Sequence, residues 1–440
     1  MSELAGFPYI EINFDKKGKV VSATSPDAVE TFVRESGLTD LCVVSHGWNN
    51  DRSEAFQLYS ELFKSVRAQL TLGTVDLTGR KIGVLGIIWP SKKFKGMAEG
   101  AGTNAAGFGS AESDETVNAL LDDLKGVLDE DDVQQSVEDL KRLVPELDND
   151  PAARQSFADG LRAMLPQDAA SADDASTTFF AADAEALFHD LDAPFLMVDA
   201  PGGGQGAAGG LGDLDGGAAG IGDFFCGAKA AARRLLNYAT YYVMKARAGT
   251  VGEKGVSKLM QAIRQVKSDT KLHLIGHSFG GRLLSAAAQR AGDTAGAEAT
   301  SAILLQAAFS HNGFAKAFKP GADGYFRSVM ASKKVHGPVL ITYTHNDKAN
   351  AIAYPIASRI AGQNAAAFGG PGDIYGAIGA NGAQHTPEAI KGTLLDAGAP
   401  GYAFASGKVY NLRADKHIAD HGDVRGEAVA YAILSAVAAT

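Results

Sequence analysis

The sequence predicts an α/β fold in which helices cover both faces of a mostly parallel sheet and a helical segment interrupts the alternation. Short runs that are apolar on both faces alternate with amphipathic helical segments, which is typical of parallel strands joined by helices. The alternation stops for about 130 residues of helical periodicity and then resumes. With 440 residues, 45% of them apolar, the chain is long enough for one large domain with insertions or for two domains.

The first predicted elements lie before residue 91. FPYIEINF (7–14) and KVV (19–21) are β-branched and aromatic runs joined by DKKG, which predicts a hairpin. A helix is expected over 26–37, where proline stands near the start and glycine follows the end. A buried strand in LTDLCVVSHGWNN stops at His46-Gly47. After it come a helix in DRSEAFQLYSELFKSVRAQL and a second buried strand in KIGVLGIIW.

Residues 92–222 are predicted to form an acidic helical cap on a core made of residues 1–91 and 223–440. Helical periodicity runs through SDETVNALLDDLKGVLDEDDVQQSVEDLKRLVPEL, DPAARQSFADGLRAML and AADAEALFHDL. Residues 111–200 include 23 acidic and 5 basic side chains, a net charge of −18, which leaves +8 on the rest of a chain whose total is −10. The cap ends in a loop over 201–222, where 11 of 22 residues are glycine, too many for a regular helix or strand.

The alternation of strands and helices resumes after the cap. A long helical region, FFCGAKAAARRLLNYATYYVMKARAG followed by KGVSKLMQAIRQVKSD, leads back to the sheet. Residues 350–407 are rich in alanine and glycine and form a second segment expected to face a substrate. Four more strands are predicted in KLHLI, SAILLQAAF, GPVLITYTH and GKVYNLRA, and a last helix in GEAVAYAILSAVAA.

One serine lies where a predicted strand gives way to a predicted helix. In KLHLIGHSFGGRLLSAAAQRA, Ser278 stands between the strand KLHLI and a segment rich in leucine and alanine, a strong helix former. A sharp turn of this kind exposes a nucleophile, and Gly276 and Gly280 are expected to be small because any side chain there would collide with the strand or helix. Ser278 is therefore the candidate nucleophile, at a helix N-terminus that favours developing negative charge.

Further motifs follow the other predicted strands. HNDKA follows GPVLITYT, and KHIADHGD follows KVYNLRA just before the last helix. With SHGWNN, GHSFGG and QAAFSHNGF, these motifs resemble the α/β-hydrolase family, and more closely a bacterial subgroup of large α/β-hydrolases, over about two thirds of the chain. The resemblance implies an α/β-hydrolase fold in which Ser278, Asp347 and His421 are nucleophile, acid and base, in the family's chain order. It also implies an oxyanion hole formed by the main-chain N–H groups of Trp48 and Phe279.

Two histidines compete for the role of base. His417 and His421 both follow KVYNLRA, so chain order leaves His417 as an alternative. Gly422 lets the backbone bend after His421, and Asp423 stands where a carboxylate could cap the last helix and fix the loop. This local pattern favours His421.

The candidate residues predict a serine hydrolase that cleaves carboxylic esters through an acyl-enzyme intermediate. The apolar helix faces of the cap suit a small-molecule ester with an apolar acyl chain or another apolar moiety. An amidase or peptidase with the same residues stays open, as does a non-catalytic scaffold whose cap binds a protein partner. No metal or other cofactor is expected, because the histidine spacing and the two cysteines, Cys42 and Cys226, show no metal-site pattern.

Composition excludes several other classes of function. The acidic segment repels phosphate backbones, so nucleic acid is not an expected partner. No uncharged apolar stretch approaches the roughly 20 residues of a membrane span, so no membrane insertion is expected. The first thirty residues lack the pattern of a secretion signal, which predicts a cytoplasmic protein. The oligomeric state is left open.

Overall fold

The computed structural model describes residues 2–21, 23–91, 113–128, 133–192, 227–347, 360 and 374–440. In this part of the chain one sheet contains the strands β1 (Ser2–Leu4), β2 (Phe7–Asn13), β3 (Asp40–Ser45), β4 (Ile82–Ile88), β5 (Lys271–His277), β6 (Ser301–Leu305), β7 (Val339–Tyr343), β8 (Ala389–Thr393) and β9 (Val409–Arg413). The strand order is β1-β2-β4-β3-β5-β6-β7-β9-β8. Only β1 and β2 pair antiparallel among these strands, so the predicted mostly parallel α/β sheet is confirmed.

Helices surround the sheet within the described residues. They are α1 (Pro26–Glu35), α2 (Arg52–Thr71), α3 (Asp114–Leu128), α4 (Val133–Leu143), α5 (Pro151–Ala163), α6 (Ser176–Ala181), α7 (Ala184–Asp192), α8 (Ala228–Val251), α9 (Ser257–Val266), α10 (Phe279–Ala291), α11 (Arg327–Ala331), α12 (Ile378–Asn381) and α13 (Glu427–Ala438). None of these helices has the length and apolarity that crossing a lipid bilayer requires.

The sheet is buried on both faces. Successive residues of a strand point to opposite faces, and Val43 and Val44 of β3 accordingly belong to two different hydrophobic clusters. The cluster around Val43 includes apolar side chains of α1, α8, α9 and α10. The cluster around Val44 includes side chains of α2 and α13. Because both faces of the parallel strands are buried, these strands appear in the sequence as continuous apolar runs.

The predicted cap is helical where it is described. Helices α3 to α7 lie between residues 114 and 192, and α3 and α7 pack along the long helix α8. Buried Lys245 of α8 forms an ion pair with Asp174, which joins this segment to the core. The predicted glycine-rich loop at 201–222 lies outside the described residues, as do both connections of the segment to the core.

The predicted hairpin between 7–14 and 19–21 is present only as a short antiparallel pairing, and the main hairpin of β2 lies on its other side. The antiparallel partner of β2 is β1, and the connecting residues Ala5 and Gly6 both have positive φ, 51° and 78°. Two consecutive positive φ values are typical of two-residue hairpin turns, because their twist matches that of the strands. The run KVV pairs with the end of β2 through a bridge between Val20 and Phe14, and the Val21 N–H donates to the Asn13 carbonyl at 2.9 Å.

Strand β8 is an element that the sequence does not predict. It lies within the segment 350–407, which is expected from its composition to face a substrate rather than to join the sheet. Its residues are exposed or half-buried because it forms an edge of the sheet, next to β9 alone. An edge strand lacks the continuous apolar run that identifies the central strands, so its sequence, AIKGT, carries little signal.

Candidate active site

Ser278 occupies a sharp turn between β5 and α10. Its φ is 56° and its ψ is −127°, a backbone conformation that residues with a side chain rarely adopt. The turn is anchored to the neighbouring strand: the N–H of Ser278 donates to the Leu305 carbonyl at 3.1 Å, and the N–H of Ala308 donates to the Ser278 carbonyl at 3.1 Å. The predicted strand, turn and helix around Ser278 are therefore present, and the turn is strained.

The glycines beside Ser278 allow a close approach of strand and helix. A Cβ atom on Gly276 would lie 2.5 Å from the Cα of Gly281, and one on Gly280 would lie 2.6 Å from the carbonyl oxygen of His46. Real Cβ atoms essentially never come this close to backbone, which cannot move aside as a flexible side chain can. Both positions therefore require glycine for packing, as the sequence predicts.

We expect Gly280→Ala to lower the free energy of unfolding by about 1–3 kcal/mol, because the added methyl group would force the end of β3 away from α10. Denaturant unfolding followed by circular dichroism measures the change. Gly249→Ala is a matched control in helix α8, since its Cβ would meet only the Arg282 side chain at 3.7 Å. That control should keep or raise stability, by up to about 1 kcal/mol, through helix propensity. Equal stabilities of the two variants would contradict the packing argument.

The loop after β3 lies directly against Ser278. A Cβ atom on Gly47 would lie 2.5 Å from the Cβ of Ser278 and 3.0 Å from its Oγ. The rings of Trp48 and Phe279, the residues that follow Gly47 and Ser278, have centroids 5.9 Å apart. The structure thus brings the side chains of the two predicted oxyanion-hole residues close to each other beside the serine.

Buried hydrogen bonds fix this loop. The main-chain N–H of His46 donates to the Tyr59 hydroxyl at 2.8 Å, and that hydroxyl donates to the Ile87 carbonyl at 2.6 Å. The Trp89 indole N–H donates to the His46 carbonyl at 3.0 Å. Burial lowers the pKa of His46 to about 4, so this imidazole is neutral near pH 7. His46 therefore supports the loop and carries no charge.

An acid and a histidine pair at the same edge of the sheet. Asp347 lies in the loop after β7, His421 in the loop after β9, and Nδ1 of His421 is 2.8 Å from Oδ2 of Asp347. The Asp347 side chain is fully buried, whereas that of His421 is 23% exposed. Because a carboxylate only accepts hydrogen bonds, Nδ1 carries the proton and Nε2 is left as an acceptor. A histidine in this state can take a proton from a hydroxyl.

His417 has different neighbours. Its Nε2 lies 3.4 Å from Oδ1 of Asp396, a surface carboxylate that also pairs with Lys416. The structure therefore pairs His421, and not the alternative base His417, with Asp347. The predicted cap by Asp423 is wrong: Gly426 stands at the N-cap of α13, and Asp423 instead accepts from the Ala419 N–H at 3.0 Å.

Gln306 is a site residue that sequence analysis missed. It follows β6 with a φ of 44°, and its side-chain amide donates to Oδ2 of Asp347 at 3.2 Å and to the Gly379 carbonyl at 3.1 Å. The carboxylate oxygen that faces His421 thus receives a second hydrogen bond. No motif around Gln306 in the sequence indicates that it would bind Asp347.

Asp415 is a second missed residue, and it holds the loop that leads to Asp347. It accepts from the Thr344 hydroxyl at 2.9 Å and from the His345 N–H at 3.1 Å, and it pairs with Arg413. Burial alone would raise the pKa of Asp415, but the hydrogen bonds from Arg413 and Thr344 lower it to about 2. This carboxylate therefore stays charged and keeps the two loops together at neutral pH.

The order of the strands places these loops at one crevice. From β3 the chain continues to β4 on one side, and from β5 it continues to β6 on the other side. In open parallel sheets, ligands bind outside the carboxyl ends of the strands at such a reversal. Gly47 and Ser278 follow β3 and β5, the two adjacent strands at this point.

Comparison with models of known families, with curated proteins and with solved structures finds no match to this chain. Within the described ranges, no group of three or more histidine, cysteine, aspartate or glutamate side chains is placed to hold a metal ion. The case for a function therefore rests on the arrangement of the side chains themselves.

Proposed function

We propose that this protein is a serine hydrolase that cleaves carboxylic esters through an acyl-enzyme intermediate. One observation carries the proposal: a serine in a strained strand-to-helix turn lies at the sheet edge where His421 also pairs with the buried carboxylate of Asp347. His277, the residue directly before Ser278, donates from Nε2 to the main-chain carbonyl of His421 at 2.8 Å, which links the two parts of the site. The chain order of serine, aspartate and histidine supports an α/β-hydrolase fold.

Each group has a role in the proposed reaction. Oγ of Ser278 attacks the ester carbonyl carbon while Nε2 of His421 takes the hydroxyl proton, and Asp347 stabilises the imidazolium that results. The carbonyl oxygen becomes an oxyanion that accepts from the N–H groups of Trp48 and Phe279. When the intermediate collapses, the ester C–O bond breaks and the leaving alkoxide takes the proton from His421. Water, deprotonated by His421, then attacks the acyl-enzyme and releases the carboxylic acid, and the proton returns to Ser278.

Aromatic side chains near the serine support an ester with an apolar moiety. The ring of Phe279 lies 5.9 Å from that of Trp48 and 5.2 Å from that of Tyr241, between ring centroids. Tyr241 belongs to α8, the helix on which α3 and α7 of the predicted cap pack. Phe279 and Tyr241 are buried, whereas Trp48 is half-buried, and an apolar acyl chain beside the serine would bury its surface against the Trp48 ring.

Covalent labelling tests the proposal. A fluorophosphonate probe followed by peptide mass mapping should add one adduct to the peptide that contains Ser278, and Ser278→Ala should remove it. Ser285→Ala is a matched control: this buried serine lies on α10 two turns after Ser278, and its hydroxyl donates to the Gly281 carbonyl at 2.8 Å. The control should keep the adduct. An unlabelled wild-type protein would favour the scaffold alternative, and an adduct that persists in Ser278→Ala would assign a different nucleophile.

A further inference from the structure

We propose that His277 is a positioning residue for the base, because its Nε2–H holds the main chain of His421 beside Ser278. The proposal rests on the proposed function above, in which His421 is the base. It assigns a task to a half-buried histidine at the end of β5.

The geometry defines how the two histidines meet. His277 is the last residue of β5, and Nε2 of its ring lies 2.8 Å from the carbonyl oxygen of His421. The centroids of the two rings are 5.0 Å apart. A carbonyl oxygen accepts and does not donate, so Nε2 of His277 must carry the proton. The neutral ring then has its bare nitrogen at Nδ1.

The surroundings of His277 keep the ring neutral. The small void beside it is lined by Ser45 and otherwise by apolar side chains, among them Leu58, Leu62 and Val424. Its buried Nδ1 has no hydrogen-bond partner among the described residues. Burial, together with the neighbouring His421, lowers the pKa of His277 to about 3. Across the pH range in which a hydrolase works, the ring therefore acts as a fixed donor and not as an acid or base.

The loop that carries His421 is attached to the rest of the protein on both sides of that residue: the Asn346 amide donates to the Ile418 carbonyl at 2.9 Å, and the Ser65 hydroxyl donates to the Arg425 carbonyl at 2.7 Å. His421 lies between these two attachments. The hydrogen bonds of its neighbours are local: the Gly422 N–H donates to the Asp420 carboxylate at 2.8 Å, and the Val424 N–H donates to the Gly422 carbonyl at 2.9 Å. Asp347 fixes the ring of His421, and His277 fixes its main chain. When both contacts are present, the direction in which Nε2 of His421 points is fixed. With the ring contact alone, the imidazole can pivot about Asp347.

A pivot of this kind costs rate, because a displacement of about 1 Å in a reacting group can lower turnover about 10²-fold. The donor comes from the rigid end of a central strand, one residue before the nucleophile. The base is thus located relative to the serine by the same strand that presents the serine. A side chain that donates from the position of Nε2 should preserve this relation, and one that donates from the position of Nδ1 should not.

The two amide substitutions separate these positions. In His277→Gln the side-chain amide nitrogen can occupy the place of Nε2, whereas in His277→Asn it reaches only the place of Nδ1. We expect His277→Asn to lower kcat by about 10-fold to 100-fold with KM within about 3-fold, and His277→Gln to keep kcat within about 3-fold of the wild type. Fluorophosphonate labelling rates should change in the same ratio, since labelling depends on the base.

A control separates positioning from general destabilisation. His273 is a buried histidine on the same strand, bonded to Asp40 and Ser301 at 2.8 Å each, at the opposite end from the serine. His273→Asn should lower the melting temperature but leave the kcat of the folded protein near that of the wild type. Equal kcat values in His277→Asn and His277→Gln would overturn the proposal, as would an equal loss of kcat in His273→Asn.

A measurement on the unmodified protein keeps the test independent of folding and of activity. Nitrogen-15 NMR of histidine-labelled wild-type protein should show His277 neutral, with the proton on Nε2, at every pH from about 5 to 9. A proton on Nδ1, or protonation of both nitrogens in that range, would refute the contact with His421. If the wild type does not react with the fluorophosphonate but His277 has the expected tautomer, the proposed function fails while the structural link stands.

Discussion

Replacing His421 with alanine is expected to reduce ester turnover by at least about 10⁴-fold, because Ser278 then has no base to take its proton. His421 is the histidine that contacts the buried carboxylate of Asp347, at 2.8 Å. Rapid fluorophosphonate labelling should disappear with turnover, since both need a deprotonated serine oxygen. Steady-state kinetics on a panel of esters graded in acyl length measures the loss and also reports the acyl preference.

His417→Ala is the matched comparison for this prediction. His417 lies four residues earlier in the same loop, but its ring lies next to the exposed carboxylate of Asp396. Its removal should change turnover by less than about tenfold, the effect of a small change in loop stability. Circular dichroism establishes that both variants are folded. An inactive His417→Ala beside an active His421→Ala would assign the base to His417 and leave the serine hydrolase proposal in place.

The parts of the site that sequence predicts are those whose chemistry is local. Ser278 can be found because strand, turn, helix and small glycines all lie within a few residues. Similarly, the central strands are predictable because burial on both faces leaves continuous apolar runs. In each case the physical requirement acts on neighbours along the chain.

The parts that sequence does not predict depend on contacts between distant residues. Gln306 and Asp347 are 41 residues apart, and His277 and His421 are 144 apart. No spacing rule connects such residues, because the distance between them is set by the order of the strands. The choice between His417 and His421 is of the same kind. The sequence favours His421 only through its neighbours Gly422 and Asp423, and Asp423 does not cap the last helix. The contact with Asp347 is what distinguishes His421 from His417.

Asp347→Asn is expected to lower turnover by up to about 10⁴-fold while the protein stays folded, because about 10⁴ is the loss that this change causes in a serine protease with a Ser-His-Asp triad. Asparagine has the shape of aspartate but no charge, so the imidazolium that forms on His421 loses its stabilising partner. The amide of Gln306 influences how the introduced asparagine side chain is oriented. It donates to Oδ2 of Asp347, so an asparagine NH₂ group at that place would face another donor. We therefore expect the side-chain oxygen of the introduced asparagine to stay toward Gln306 and His421, which keeps the productive tautomer of His421. The loss of rate should then come mainly from the missing charge and be smaller than the roughly 10⁴-fold loss that the wrong tautomer causes.

Asp415→Asn provides the comparison for Asp347→Asn. Asp415 is a carboxylate of the same two loops and accepts hydrogen bonds from Thr344 and His345. Among the described residues, no hydrogen bond or ion pair joins it to His421. Replacing Asp415 should lower thermal stability more than turnover, because Asp415 joins the loops without bonding to the base. The histidine proton that bridges His421 and Asp347 should remain visible in the NMR spectrum of Asp415→Asn, and it should shift in that of Asp347→Asn. Near-normal turnover in Asp347→Asn would mean that a different carboxylate orients the base, and a large loss in Asp415→Asn with unchanged stability would identify which one.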